Sequence, residues 1–201
     1  MKHETTRFVP ARRQALAFFV VATSAGLAAC TTTSGSSEGE LSSMAKRREL
    51  DASVDATLAK LYESVPDSRE LVQRASGVLV FPSVVRVSFG IGGAHGNGEL
   101  RARGRTLGYY SVTSGSIGLQ AGAQSRAVVY LFMTPDVLEK FRASNGWTAG
   151  VDATVAVANV GASGRVDTAS AQQPVIAFVM TNAGLAAGVS LEGTKVTPIE
   201  I

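Results

Sequence analysis

Gly77-Val78-Leu79-Val80-Phe81-Pro82-Ser83-Val84-Val85-Arg86-Val87-Ser88-Phe89-Gly90-Ile91-Gly92-Gly93 is the stretch that decides the fold class of this chain. Its apolar residues alternate: Val78 and Val80, then Val85, Val87, Phe89 and Ile91. A period of two places successive side chains on opposite faces of an extended strand, and Val, Ile and Phe fill such a pleated surface well. The same texture returns in Val128, Tyr130 and Phe132. Eighteen of the 21 glycines lie between Gly77 and Gly193, interleaved with these residues. The pattern predicts strands near 77–81, 85–93, 97–103, 106–112, 115–121, 125–133, 147–157, 160–167, 174–181, 185–191 and 194–199. Short glycine-bearing links favour antiparallel neighbours, because parallel pairs need long crossovers. Gly93-Ala94-His95-Gly96-Asn97-Gly98 reads as one such hairpin turn, with His95 exposed on it. So many strands in one small domain create unpaired edges, which closure of the sheet removes. Glycines inside strands suit sharp coiling or close approach of backbones.

Working outward, the segments before Gly77 are helical. Leu50, Val54, Leu58, Leu61 and Val65 recur at steps of four, four, three and four, so Ser42 to Val65 is an amphipathic helix closed by Pro66. Asp67-Ser68-Arg69-Glu70 has the spacing of a capping box, and a short helix should run from there to about Ala75. One helix interrupts the strands: Thr134 is placed to cap it, Pro135 suits its first turn, and Val137, Leu138 and Phe141 share a face before Asn145-Gly146. The expected fold is α+β: a strongly curved, barrel-like antiparallel sheet, with the N-terminal helices packed on it and one helix inserted between strands.

The N-terminus has a different logic. Leu27-Ala28-Ala29-Cys30 resembles a bacterial lipobox, in which the thiol receives a diacylglyceryl group and the chain is cut before it. Upstream are a basic head (Lys2, Arg7, Arg12, Arg13), an apolar run around Leu16 to Val21 that is too short to span a bilayer, and small residues. Arg12-Arg13 resembles a twin-arginine signal, but paired arginines are common in ordinary signal heads. Thr31 to Glu40 has the Thr, Ser and Gly content of a flexible tether. The organisation read from this is a lipoprotein signal peptide over 1–29, a tether over 30–41 and one domain over 42–201. Thr31 is not the aspartate associated with inner-membrane retention, so the expected location is the bacterial envelope, lipid-anchored at the outer membrane and facing the periplasm.

Four of the 19 basic and one of the 16 acidic residues lie in 1–29, so the remaining chain carries 15 of each. Its zero net charge removes the compositional support for nucleic-acid binding. Cys30 is the one cysteine, so no intramolecular disulfide can form.

Several blocks, in order, resemble the SYLF domain family: Gly77-Val78-Leu79-Val80-Phe81-Pro82, Phe89-Gly90-Ile91-Gly92-Gly93, Gly118-Leu119-Gln120-Ala121-Gly122-Ala123-Gln124, Leu131-Phe132-Met133, Gly150-Val151-Asp152-Ala153 and Leu191-Glu192-Gly193. The similarity runs from about Leu58 to Ile199. It implies a non-enzymatic domain that binds membrane lipids, phosphoinositides in eukaryotic members, with an amphipathic N-terminal helix and basic residues contributing to membrane contact in some. The actin binding of the yeast relative is not carried over to a bacterial envelope. A structural or protein-interaction module of the envelope is the alternative reading.

Catalytic parts are scarce. His95 is the one histidine beyond the signal segment, and neither a nucleophile–base pair nor a zinc site is built from it. Gly90-Ile91-Gly92 lacks the third glycine of a dinucleotide loop, and Ser116, with Ser114 before it, lacks half of an esterase elbow. Asp152 and Asp167 read as turn-stabilising residues. No catalytic residue, metal site or cofactor is expected. Charge is more suggestive: six arginines between Arg69 and Arg105 face only Glu70 and Glu99. Arginine forks suit phosphate oxygens, so Arg101, Arg103 and Arg105, joined by Arg86, form a candidate site for an anionic lipid headgroup. The bland alternative is a solvated hairpin kept soluble by charge. Arg126 reads as a buried structural partner. The partners expected are therefore a membrane, through acylated Cys30, and an anionic headgroup.

Overall fold

The alternating stretch forms one long ribbon rather than several short strands. The structure, a computed structural model, describes residues 35–160, 165–186 and 188–201. Cys30 and the expected signal peptide lie outside these residues, as does part of the strand expected over 160–167. Strand β1 spans Gly77–Ala102 and β2 spans Arg105–Phe132, paired antiparallel along their whole length. The turn between them is two residues, Arg103 and Gly104, with φ of 51° and 73°. Positive φ at both central positions is the tight hairpin turn whose twist matches that of the flanking strands, and Gly104 takes it without strain.

Six expected strands are therefore two, and the expected turn at 93–98 does not exist. His95 sits inside β1, opposite Thr113, with an exposed side chain. The glycines around it do other work: the ribbon doubles back on itself. A Cβ on Gly96 would lie 2.4 Å from the Ser83 carbonyl oxygen, and one on Gly98 would lie 2.4 Å from the Val80 carbonyl oxygen and 2.5 Å from the Phe81 ring. Only glycine permits that approach. Register shifts between Phe81 and Val84, Ser88 and Gly90, and Leu100 and Arg101 supply the bends.

β2 is the spine of the sheet. Its Tyr109–Thr113 part pairs with β7 (Lys195–Ile199), and its Ala127–Phe132 part pairs with β5 (Val175–Thr181). The sheet is completed by β3 (Trp147–Thr148) on β7, β4 (Val155–Val157) on β5 and β6 (Gly184–Leu185) on β5. The result is a half-barrel, the curled sheet of the α+β fold expected. One pair departs from the antiparallel expectation: β4 runs parallel to β5. The long connection between them, which includes helix α4 (Thr168–Ala171), gives the chain room to return in the same direction. Asp167 caps α4, accepting from the Ser170 amide at 2.9 Å, and Asp152 accepts from the Thr148 amide at 2.6 Å.

Each face of the sheet buries its own core. On the concave side, α3 (Pro135–Ala143) brings Leu138 and Phe141 onto Phe132, Tyr110 and Trp147, with ring centroids 4.6 Å apart for Phe132–Phe141 and 4.9 Å for Tyr110–Phe141. On the other side lies α1 (Gly35–Ser64), whose Val54 and Leu61, followed by Val65, pack on Val80, Val129, Leu131, Ile176 and Phe178. β5 is covered on both faces, which is why Val175 to Met180 is a continuous apolar run.

Two helix starts differ from expectation. α1 begins at Gly35, inside the segment whose composition predicts a tether. Once the 50–65 stripe is docked, each residue added upstream gains a backbone bond without a new nucleus. α2 (Ser68–Arg74) has no capping box: Asp67 is helical (φ −64°, ψ −20°) and its side chain makes no cap bond. The chain turns tightly out of α1, with the Ser68 amide donating to the Val65 carbonyl, so Asp67 never reaches the extended conformation an N-cap needs. Instead it meets Arg165 at 3.6 Å, while Glu70 pairs with Arg74 at 3.7 Å.

Candidate functional site: a divided arginine cluster

The turn at Arg103-Gly104 splits the arginines that a straight strand would have aligned. Arg101 is committed to the interior. It donates through Nε to Glu99 Oε1 at 2.8 Å and through Nη2 to Glu99 Oε2 at 2.9 Å, a two-pronged pair with a fully buried carboxylate. Its Nη1 donates to Asp55 Oδ1 and its Nη2 to the Asp51 carbonyl at 3.3 Å, both on α1. Thr106 donates a further bond to Glu99. Burial by itself lowers the Arg101 pKa, but the hydrogen bonds to Glu99 and Asp55 outweigh it and hold it above the ordinary value. Arg101 thus bolts β1 to α1, and its fork is occupied.

Arg103 and Arg105 stay exposed at the hairpin tip. There they border a groove of about 690 Å³ together with Arg74 from α2 and Arg142 from α3. Glu139 is the acidic residue among its lining, and Leu107 and Leu138 give it an apolar floor. Sequence spacing could not reveal Arg74 and Arg142 here, because three separate elements bring them together.

Arg86 lies elsewhere. It faces Gln124 across the ribbon, diagonal to Arg126, which faces Val84. Among the described residues, the buried Nε atoms of Arg86 and Arg126 have no hydrogen-bond partner, and neither has the buried hydroxyl of Tyr130. Burial, and then the positive charge of Arg86, lower the Arg126 pKa. Burial raises that of Tyr130, against the pull of Arg126.

Beyond this pair the ribbon carries an apolar stripe into solvent. Val85 and Val87 are half exposed, Phe89 is 87% exposed and Ile91 80%. The root of the elbow follows one flank of α1, from Lys46 to Lys60, and the side leading to the hairpin tip follows another, from Asp51 to Tyr62. Lys46, Glu49, Leu50 and Ser53 border Pro82, Ser83 and Asn97 at the root of the elbow, whereas Leu58 and Tyr62 border Arg103 and Gly104 at the tip. From Glu49 to Tyr62 a helix rises about 20 Å. Upstream of Leu50, α1 is exposed at almost every position from 39 to 49, including Leu41 and Met44. No described helix is long and apolar enough to cross a membrane. Among the described residues no three His, Cys, Asp or Glu side chains gather to hold a metal ion.

No curated protein matches the chain. Residues 113–200 match the model of the Ysc84 family, described as Las17-binding protein actin regulator. The match takes in β2 from Thr113, α3 and every element after it, that is, the spine of the half-barrel and both strands paired to its other edge. The family is one of binding domains and is not a known enzyme family. This match supports, over residues 113–200, the SYLF resemblance read from the sequence blocks.

Proposed function

We propose that the chain is a lipid-anchored envelope lipoprotein, acylated at Cys30 and held at the outer membrane facing the periplasm, whose SYLF domain binds anionic phospholipid without catalysing a reaction. One observation carries the membrane reading: Phe89 and Ile91 stand exposed on the elbow, and Leu41 and Met44 stand exposed on the part of α1 that leads back towards Cys30. An anchored chain would bring Leu41, Met44, Phe89 and Ile91 to the bilayer surface together. The groove of Arg74, Arg103, Arg105 and Arg142 presents cations to an anionic headgroup. Phosphoinositides are the ligands that the SYLF likeness suggests.

Metabolic labelling with palmitate tests the anchor: the full chain is labelled and Cys30→Ser is not. The elbow is tested by Phe89→Ser with Ile91→Ser in the unacylated Cys30→Ser protein. Partitioning onto vesicles of anionic phospholipid should fall about tenfold, since partial insertion of two such side chains is worth on the order of 1–2 kcal/mol. Thermal stability should hold, because neither side chain packs on the core. Unchanged partitioning would reject the elbow as the membrane contact.

The family description itself favours a second reading, a protein-interaction module, because it names a protein partner. Vesicle binding that disappears when a specific envelope protein saturates the groove would favour that module.

A further inference from the structure

We infer a phosphate-binding site at the root of the elbow, formed by Arg86, Arg126 and Tyr130, separate from the groove at the hairpin tip. The ladder is unbroken from Val84↔Arg126 to Ser88↔Gly122, so the alternation places Arg86 and Arg126 on the same face as Val84, Val128 and Tyr130. That is the concave face, because Val84, Val128 and Tyr130 belong to the inner core. Diagonal cross-strand positions are within reach of long side chains, so the two guanidinium groups are neighbours. Tyr130 follows four residues after Arg126 on that face, with a ring completely shielded from solvent.

Three buried donors on one face therefore have nothing to accept from them among the described residues. Partly buried like charges repel, and a buried donor without a partner is unfavourable by itself. The ion pairs of the described residues use Arg74, Arg101 and Arg165, and none supplies a carboxylate to this corner. The missing partner has to be negative and to accept from all three donors. A phosphate group, whose oxygens point to several sides, suits donors that come from two strands, and a metal cation fails on charge. The shared chemistry fits a free phosphate ion or the phosphate of a lipid headgroup. The site needs neither the acyl anchor nor the elbow's insertion, so it stands or falls apart from the membrane reading.

The test uses the full chain with Cys30→Ser, free of detergent and at fixed ionic strength, with inorganic phosphate in one arm and vesicles of phosphatidic acid, against phosphatidylcholine as the control, in the other. A melting temperature that rises saturably with phosphate but not with chloride, and a rise that is lost in Arg86→Gln and Arg126→Gln, supports a free-ion site. No response to phosphate, with binding to phosphatidic acid vesicles weakened about tenfold in the same variants, supports a headgroup site. Arg103→Gln with Arg105→Gln should leave either response in place. Tyr130→Phe guards against variants that fail to fold: it deletes one unpartnered oxygen, so the free protein is no less stable, while the phosphate or phosphatidic acid response must weaken. Absence of both responses in the unaltered protein, or an unchanged response in Tyr130→Phe, overturns the site.

Discussion

Arg101→Ala is expected to destabilise the domain by about 3–5 kcal/mol, the range for removing one partner of a buried ion pair. The melting temperature should drop by roughly 10 °C, at about 2–4 °C per kcal/mol for a chain of this size. The effect comes from Glu99 rather than from the arginine. Its side chain is completely buried, and without Arg101 it keeps the Thr106 hydroxyl while facing the neighbouring Asp51 carboxyl. The Asp55 arm contributes far less, because that carboxylate is 68% exposed and water already solvates it. Asp55→Ala should therefore shift stability by no more than about 1 kcal/mol. The combination of Glu99→Met with Arg101→Leu should recover most of the loss, because two apolar residues leave no charge stranded beneath α1. Chemical denaturation of the parent and these three variants separates the Glu99 arm from the Asp55 arm. An Arg101→Ala protein as stable as the parent would mean that Glu99 is not held as described.

Gly98→Ala is the second large effect, expected at about 3 kcal/mol or more because overpacking here meets backbone. A new Cβ would stand 2.4 Å from the Val80 carbonyl oxygen and 2.5 Å from the Phe81 ring. A flexible side chain could swing away, but a strand carbonyl already fixed in the ladder cannot. The two arms of the ribbon must then separate, exposing Phe81 and Leu100 beside them. Gly115→Ala is the matched control: it lies in the same ribbon with nothing within 4 Å of its Cβ position. That substitution should be neutral or slightly stabilising, because alanine narrows the unfolded ensemble. Equal stability of Gly98→Ala and Gly115→Ala would show that the arms do not pack as closely as the structure has them.

The contrast between these glycines also explains what the sequence made legible. Periodicity records which face a residue occupies, so the α1 stripe, the buried face of α3 and the β character of residues 77–132 could all be read directly. What a glycine is for could not. One residue type serves tight turns, bulges and close backbone approach, and only Gly104 of those between 90 and 108 makes the hairpin turn. The arginines fared the same way. Alternation grouped Arg101, Arg103 and Arg105, but Arg101 finds Asp55 46 residues away, and Arg103 and Arg105 find Arg74 and Arg142 on two helices. The Arg86–Arg126 pair depends on a cross-strand register that two bulges adjust, so no local pattern announces it. β4 falls inside the strand expected over 147–157, but its parallel direction is set by the connection through α4 and leaves no local pattern.

A ribbon closed by one tight turn also dictates an order of assembly. Pairing that starts at Ala102↔Arg105 can advance rung by rung to Gly77↔Phe132, so the entropy of loop closure is incurred once, in a two-residue loop. The strands that arrive later, β5 and β7, have no docking edge until the matching length of β2 has been laid down. Nucleation is thus local although the finished sheet is rich in distant contacts, and the domain should fold faster than its β content alone suggests.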